Sequence, residues 1–255
     1  AQAHGARYKG RSVGSIGHVG AWSFCQDKIM TTGGEGGMVT TCDEALWRAM
    51  WSFKDHGKSY EAVYVRQHPP GFRWLHESFG TNWRMLEMQA VIGRIQLQRM
   101  AEWMRQRQAN AATLTQALVP FAPADGPVRL PQWACAGCSG SPGCAHEGGL
   151  NSSCVHAQYK FYAYVRPDNL ASGWSRDRII DAINAQGVPC YQGSCSEVYL
   201  EKAFDGTGWQ PQDRLPVAKV LGQTTLMFLV HPTLTGDDMT RSVQAITSVL
   251  KAARR

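Results

Sequence analysis

Residues 22–41 read WSFCQDKIMTTGGEGGMVTT, and their reading decides the fold. The apolar and β-branched residues at 21–24 and 38–41 predict two short strands. Between them lie a loop with one lysine, Lys28, and a Gly-rich turn at 33–37. Glycines there let backbone segments approach closely. A lysine held between two strands suits a group that must meet a bound carbonyl compound, because its amine forms a Schiff base and desolvation keeps it nucleophilic at neutral pH. Taken without any companion pattern, a single loop lysine is more often a solvated surface charge.

Companion patterns are present. Ser23-Phe24 with Lys28, followed by Thr31-Thr32-Gly33-Gly34-Glu35-Gly36-Gly37, resembles the pyridoxal-phosphate (PLP) lysine segment of the DegT/DnrJ/EryC1/StrS sugar aminotransferases. The opening run Ala1-Gln2-Ala3-His4-Gly5-Ala6 is similar to the stretch just before that segment, and Gly80-Thr81-Asn82-Trp83-Arg84 to the family's G-x-N-x-R motif. The three motifs come in order, and the resemblance covers most of residues 1–110 closely and the remainder loosely.

The resemblance implies an α/β protein of the aspartate-aminotransferase-like fold (fold type I). Residues 1–100 would be the C-terminal portion of the PLP-binding large domain, and 101–255 a small α/β domain. It implies transfer of an amino group, with glutamate the usual donor, to a keto group of a nucleotide-linked deoxysugar for cell-surface polysaccharide or natural-product sugars. Lys28 would carry PLP and act as acid and base; Ser23 would donate to the phosphate. Gln2 would contact the ring or its phenolic oxygen, and Asn82 would reach the phosphate of a neighbouring subunit, making the unit a cytoplasmic homodimer with shared sites. The carboxylate that pairs with the pyridine nitrogen and a Gly-Thr phosphate turn would lie upstream of Ala1, so the chain reads as a fragment. Two rival readings are a non-catalytic homologue that stabilises a partner and a PLP-dependent sugar dehydratase; Lys28 argues against the latter, whose members carry histidine there.

Secondary candidates are His4 and Arg84 near the substrate, Glu35 ordering the turn, and His231 closing a strand before Pro232. Cys25 and Cys42 read as small buried hydrophobes on strands. The run Cys190-Tyr191-Gln192-Gly193-Ser194-Cys195 departs from the Val-His-Tyr-x-Pro-like run that shapes the sugar site in many family members.

The other elements follow from periodicity. Asp43 caps a helix bearing Leu46, Met50 and Phe53, which Gly57 stops. Residues 58–80, with Pro69-Pro70-Gly71 and several aromatics, form a structured excursion. A long connector helix starts at Arg84 with Leu86, Ala90, Gly93, Leu97, Met100 and Met104 as its apolar stripe. Beyond residue 156 the expected order is a strand at 157–165, a helix capped by Ser175 with Ile179, Ile180 and Ile183 inward, a strand at 188–191, and a last helix opened by a Thr235–Asp238 capping box.

Residues 133–156 form a Gly/Ser-rich insertion bearing Cys135, Cys138, Cys144, Cys154, His146 and His156. Four thiolates suit tetrahedral zinc, but the set lacks a second close pair, so the reading is a surface insertion with no metal. The 255 residues carry 44% hydrophobic and 18% charged side chains, as a globular protein does. A net charge of +6 comes without a nucleic-acid motif. Arg94, Arg99, Arg105 and Arg107 with Glu102 read as a solvated helical face. No apolar run reaches the ~18 residues of a membrane helix.

Overall fold

The computed structural model describes residues 1–71, 73–131 and 154–255. Among them the chain forms two compact units: residues 1–103 with 154–157, and residues 104–131 with 158–255.

The first unit has little regular structure. Strands β1 (Arg7–Tyr8) and β2 (Arg11–Ser12) make a small hairpin. Strands β3 (Gly20–Ser23) and β4 (Gly37–Thr40) pair antiparallel, Gly20 opposite Thr40 and Ser23 opposite Gly37. Helix α1 (Glu44–Lys54) starts where expected, the Asp43 carboxylate accepting from the Leu46 N–H. Its apolar face is not buried: Phe53 packs edge-on to Trp83, and Trp47 and Trp51 lean on Tyr60 of the short helix α2 (Tyr60–Tyr64). Gly57 ends the α1 turn at φ +81°, its N–H donating to Ser52 O at 2.8 Å. A β-carbon there would lie 1.7 Å from the Ser78 carbonyl oxygen, so only glycine fits this crossing.

Helix α3 (Glu87–Leu118) runs 32 residues. It begins three residues later than the sequence indicates, and the expected stripe is half right. Gly93 and Met104 are buried, whereas Leu86, which precedes the helix, and Leu97 are exposed. Gly93 lets the helix close on the Gly-rich turn, since a β-carbon there would sit 3.0 Å from Thr32 Cγ2. Arg94, Arg99 and Arg105 are solvated, but Arg107 is 2% exposed. Its guanidinium donates to the carbonyls of Gln158 and Tyr159 at 3.2 and 3.1 Å, and burial pushes its pKa down to about 10. A charged residue on the inward register escapes a reading based on composition.

The second unit holds a four-stranded antiparallel sheet in the order β5 (Val128–Arg129), β6 (Phe161–Val165), β8 (Thr225–Phe228), β7 (Cys190–Tyr191). Phe161, Ala163 and Val165 alternate inward along β6, as a period of two requires. That strand is shorter than the expected 157–165 because Gln158 takes φ +49°; the strand expected at 188–191 is likewise reduced to β7. Helices α4 (Arg176–Asn184) and α6 (Gly236–Ala253) bury Ile179, Ile180, Ile183, Met239, Ile246 and Leu250 into one core with the end of α3. Both caps form: Ser175 Oγ accepts from Arg178 N, and Thr235 and Asp238 make the reciprocal capping box.

Helix α5 (Pro216–Thr224) and the central strand β8 were not legible beforehand. They follow one another without a turn, Thr224 closing the helix and Thr225 opening the strand, so no Gly or Pro marks the boundary. His231 accordingly lies past β8, which ends at Phe228. The long β7–α5 connection is braced by Arg214, whose fork grips Glu197 at 2.9 and 2.5 Å, while the Tyr199 hydroxyl donates to the same carboxylate at 2.7 Å. Those bonds hold the Glu197 carboxyl down at about 2.

Candidate active site

The lysine loop is closed by its own backbone. Where β3 ends, Phe24 N donates to Gly36 O at 2.8 Å, and Phe24 O in return accepts from Thr32 N at 3.2 Å and Thr31 Oγ1 at 3.0 Å. Cys25 forms a parallel bridge with Gly34. Phe24, Ile29, Met30 and Thr32 are buried beneath the loop. Gly36 makes the closure possible, since a β-carbon there would come within 2.2 Å of Thr32 Oγ1. The Glu35 backbone carbonyl accepts from Thr32 Oγ1 at 3.0 Å and from Gln89 Nε2 at 2.7 Å, which ties the turn to the residues around it.

Lys28 sits at the turn of this loop, its N–H donating to Cys25 O at 3.0 Å. Its side chain is 15% exposed, and Nζ lies 2.7 Å from the Asp27 carboxylate. Ser23 is half-buried; its Oγ accepts from Cys25 N at 3.3 Å, which leaves the hydroxyl proton to donate elsewhere. Lys28 and Ser23 are therefore presented by one six-residue segment, fixed to the Gly-rich turn at Phe24 and Cys25.

The other expected residues lie on other stretches of the chain. Gln2 is exposed beside β3, where the Ala1 amine donates to Ala21 O at 3.1 Å. Asn82 is exposed on a separate stretch that bridges Asp55 at the C-terminal end of α1. His4 is buried against the Trp22 and Phe24 rings, 5.2 and 5.9 Å between centroids, and so belongs to the interior. Neither Cys25 nor Cys42 is a buried strand hydrophobe: Cys25 is half-buried with Sγ 3.5 Å from Glu35 Oε1, and Cys42 is exposed just beyond β4, where the chain turns out toward the α1 cap. Cys135, Cys138, Cys144 and His146 lie outside the described residues. Cys154 Sγ accepts from Lys9 N at 3.3 Å, and among the described residues no cluster suits a metal.

One group beside Asn82 escaped the sequence reading. Asp55 is a carboxylate only 6% exposed, with Lys58 Nζ at 3.5 Å, His56 Nδ1 at 3.4 Å and Arg84 at 3.2 Å. Burial alone would raise its pKa, but the charges of Lys58, Lys54 and Arg84 and the His56 hydrogen bond outweigh it and hold the carboxyl below its usual range. The run Lys54-Asp55-His56-Gly57-Lys58 was its only trace in the sequence, indistinguishable from a charged helix end.

The family model of the DegT/DnrJ/EryC1/StrS aminotransferases matches residues 1–247. The chain belongs to that family. An aminotransferase structure from Psychrobacter cryohalolentis is 63% identical with a TM-score of 0.89, covering 98% of this chain and 60% of that one. The dTDP-3-amino-3,4,6-trideoxy-alpha-D-glucose transaminase of Streptomyces venezuelae is 28% identical over 96% of this chain and 54% of its own length. GDP-perosamine synthase of Caulobacter vibrioides is 28% identical over 98% and 57% respectively. The chain thus spans little more than half the length of these relatives. Members of the DegT/DnrJ/EryC1/StrS family are PLP-dependent and share the fold type I α/β architecture. The donor set of the lysine loop fits that cofactor: an amine for the aldehyde carbon, and a hydroxyl with an uncommitted proton for phosphate. Among the described residues no helix is long and apolar enough to cross a membrane.

Proposed function

We propose that the full-length protein is a PLP-dependent aminotransferase that moves an amino group from glutamate to the keto group of a nucleotide-linked deoxysugar. In this reading residues 1–100 are the C-terminal portion of the cofactor-binding domain and 101–255 the small domain. The carrying observation is Lys28, largely shielded on a loop closed by its own backbone bonds, five residues beyond Ser23.

Pyridoxal phosphate, when bound, supplies a sink for the electrons released at the α-carbon of the amino donor. The chain supplies position and proton traffic. Lys28 Nζ would hold the cofactor through its aldehyde carbon, and as a free amine it would take the proton from the donor's α-carbon and, in the second half-reaction, give a proton to the sugar carbon. Its side chain, 15% exposed, keeps that proton largely shielded from water. Asp27 lies 2.7 Å from Nζ and holds the end of the side chain in place. Ser23 donates its hydroxyl to the phosphate, Gln2 meets the ring or its phenolic oxygen, and Asn82 extends its amide to the phosphate of the neighbouring subunit in a homodimer.

The test is to produce the full-length chain with PLP, reduce it with borohydride and map the modified lysine, then assay amino transfer from glutamate across 3-keto and 4-keto nucleotide sugars. The expected result is a visible absorption band lost on reduction, the label on Lys28, and turnover with at least one sugar. A label on another lysine sinks the assignment of the site. A label on Lys28 with no transfer to any sugar favours a cofactor-bearing, non-catalytic partner.

A further inference from the structure

A carboxamide has an accepting end and a donating end, and only the donating NH2 can bind a phosphate oxygen. What fixes the orientation of Asn82 therefore matters. Arg84 Nε donates to Asn82 Oδ1 at 3.2 Å. Because guanidinium has donors and no acceptor, the oxygen must face Arg84 and the NH2 must face away. The other end of the same guanidinium is held in turn, Nη1 lying 3.2 Å from the Asp55 carboxylate.

The backbone around this relay is equally constrained. Asp55 and Asn82 form an antiparallel bridge, flanked by Thr81 N to Phe53 O at 2.6 Å, His56 N to Thr81 O at 2.9 Å and Trp83 N to Lys54 O at 3.0 Å. Asp55 Oδ1 also faces Lys58 Nζ at 3.5 Å and His56 Nδ1 at 3.4 Å, so its pairing with Arg84 is one of charge rather than of a formed hydrogen bond.

We infer that Asp55 and Arg84 are positioning residues that hold the Asn82 carboxamide with its NH2 outward as a phosphate donor. The inference rests on the phosphate-binding role proposed above for Asn82. Asp55 orders the guanidinium, the guanidinium orders the amide, and neither touches the phosphate.

A double-mutant cycle on the full-length chain tests this, read by PLP titration followed by absorption and by the melting temperature of the apo form. Asp55→Asn and Arg84→Ala are each expected to weaken PLP binding about tenfold, the scale of one hydrogen bond to a charged group. In an Asn82→Ala background neither should weaken it further, because the group they orient is gone. Arg84→Lys should keep the charge opposite Asp55, and with it the melting temperature, yet still lose affinity because it lacks the Nε donor. Equal losses in both backgrounds overturn the inference and make Arg84 a direct phosphate ligand or a merely structural residue. If Asp55→Asn fails to fold, the Arg84 pair carries the test, since that side chain is half exposed. Asn82→Ala that binds PLP as tightly as the parent removes the role of Asn82, and the inference with it.

Discussion

The two units of this chain solve different problems with different physics. The second buries Ile183, Leu226, Phe228 and Leu250 almost completely, in a core fed by α3, α4, α6 and all four strands. The first leaves Trp74, Phe79, Trp83 and Met88 largely exposed and holds its lysine loop with backbone bonds and close glycine contacts. Hydrophobic burial stabilises the one; directional bonds shape the other. The proposed chemistry falls in the latter, where a reacting group can be placed to fractions of an ångström while staying reachable. The contrast predicts that substitutions in the first unit abolish function at little cost to stability, and that those in the second do the reverse.

The largest effect should come from exchanging defects between subunits. Lys28→Ala should remove turnover entirely while leaving the apo melting temperature unchanged, since the ion pair it loses is with the exposed Asp27 and such pairs contribute little. Mixing Lys28→Ala chains with Asn82→Ala chains should then restore activity. In a symmetric dimer with shared sites one heterodimer site receives both defects and the other neither, giving about a quarter of full activity at equal mixing. Heterodimers that form but stay inactive would place Asn82 at its own chain's site.

Next in size is the core of the second unit. Ile183→Ala removes a fully buried side chain on α4 and should cost about 2–5 kcal/mol in urea unfolding, with kcat on folded protein unchanged. A loss below about 1 kcal/mol would mean that this core relaxes around the cavity, and would blunt the contrast between the units.

How much of this was legible beforehand divides along the same line. The elements of the second unit that announce themselves locally were visible: the Ser175 and Thr235 caps, and the isoleucine face of α4. Strand β8 was not, because four residues running straight out of a helix carry no punctuation, and only pairing with β6 and β7 makes them the sheet's centre. In the first unit the hairpin flanking Lys28 could be read from its glycines, and Lys28 and Ser23 do share one pinned loop. Asp55 could not be read, since its importance lies in contacts with Arg84, 29 positions away in the sequence, and Arg107 hid for the same reason among surface arginines. Local pattern reveals what is stabilised locally. Buried charges are fixed by partners distant in sequence, and a single chain gives no view of them.

The smallest effect is also the closest comparison, because each unit opens a helix with a side-chain cap of the same kind. Asp43 accepts from Leu46 N at 3.0 Å at the start of α1, and Thr235 accepts from Asp238 N at 3.2 Å at the start of α6. Intrinsically the two caps are worth a similar amount, about 1 kcal/mol each. Their surroundings differ: α1 buries none of its residues, whereas α6 buries six, and Asp238 returns a bond to Thr235 N at 2.8 Å. Fraying at α6 therefore exposes core, and Thr235→Ala should lower global stability by about 1 kcal/mol in urea unfolding, with matching loss of amide protection along α6. Asp43→Ala should instead act locally, speeding amide exchange in the first turn of α1 and leaving the global midpoint where it was. If Asp43→Ala shifts the midpoint as far as Thr235→Ala does, α1 is part of the cooperative core after all, and the division of labour between the two units fails at the helix where it should be plainest.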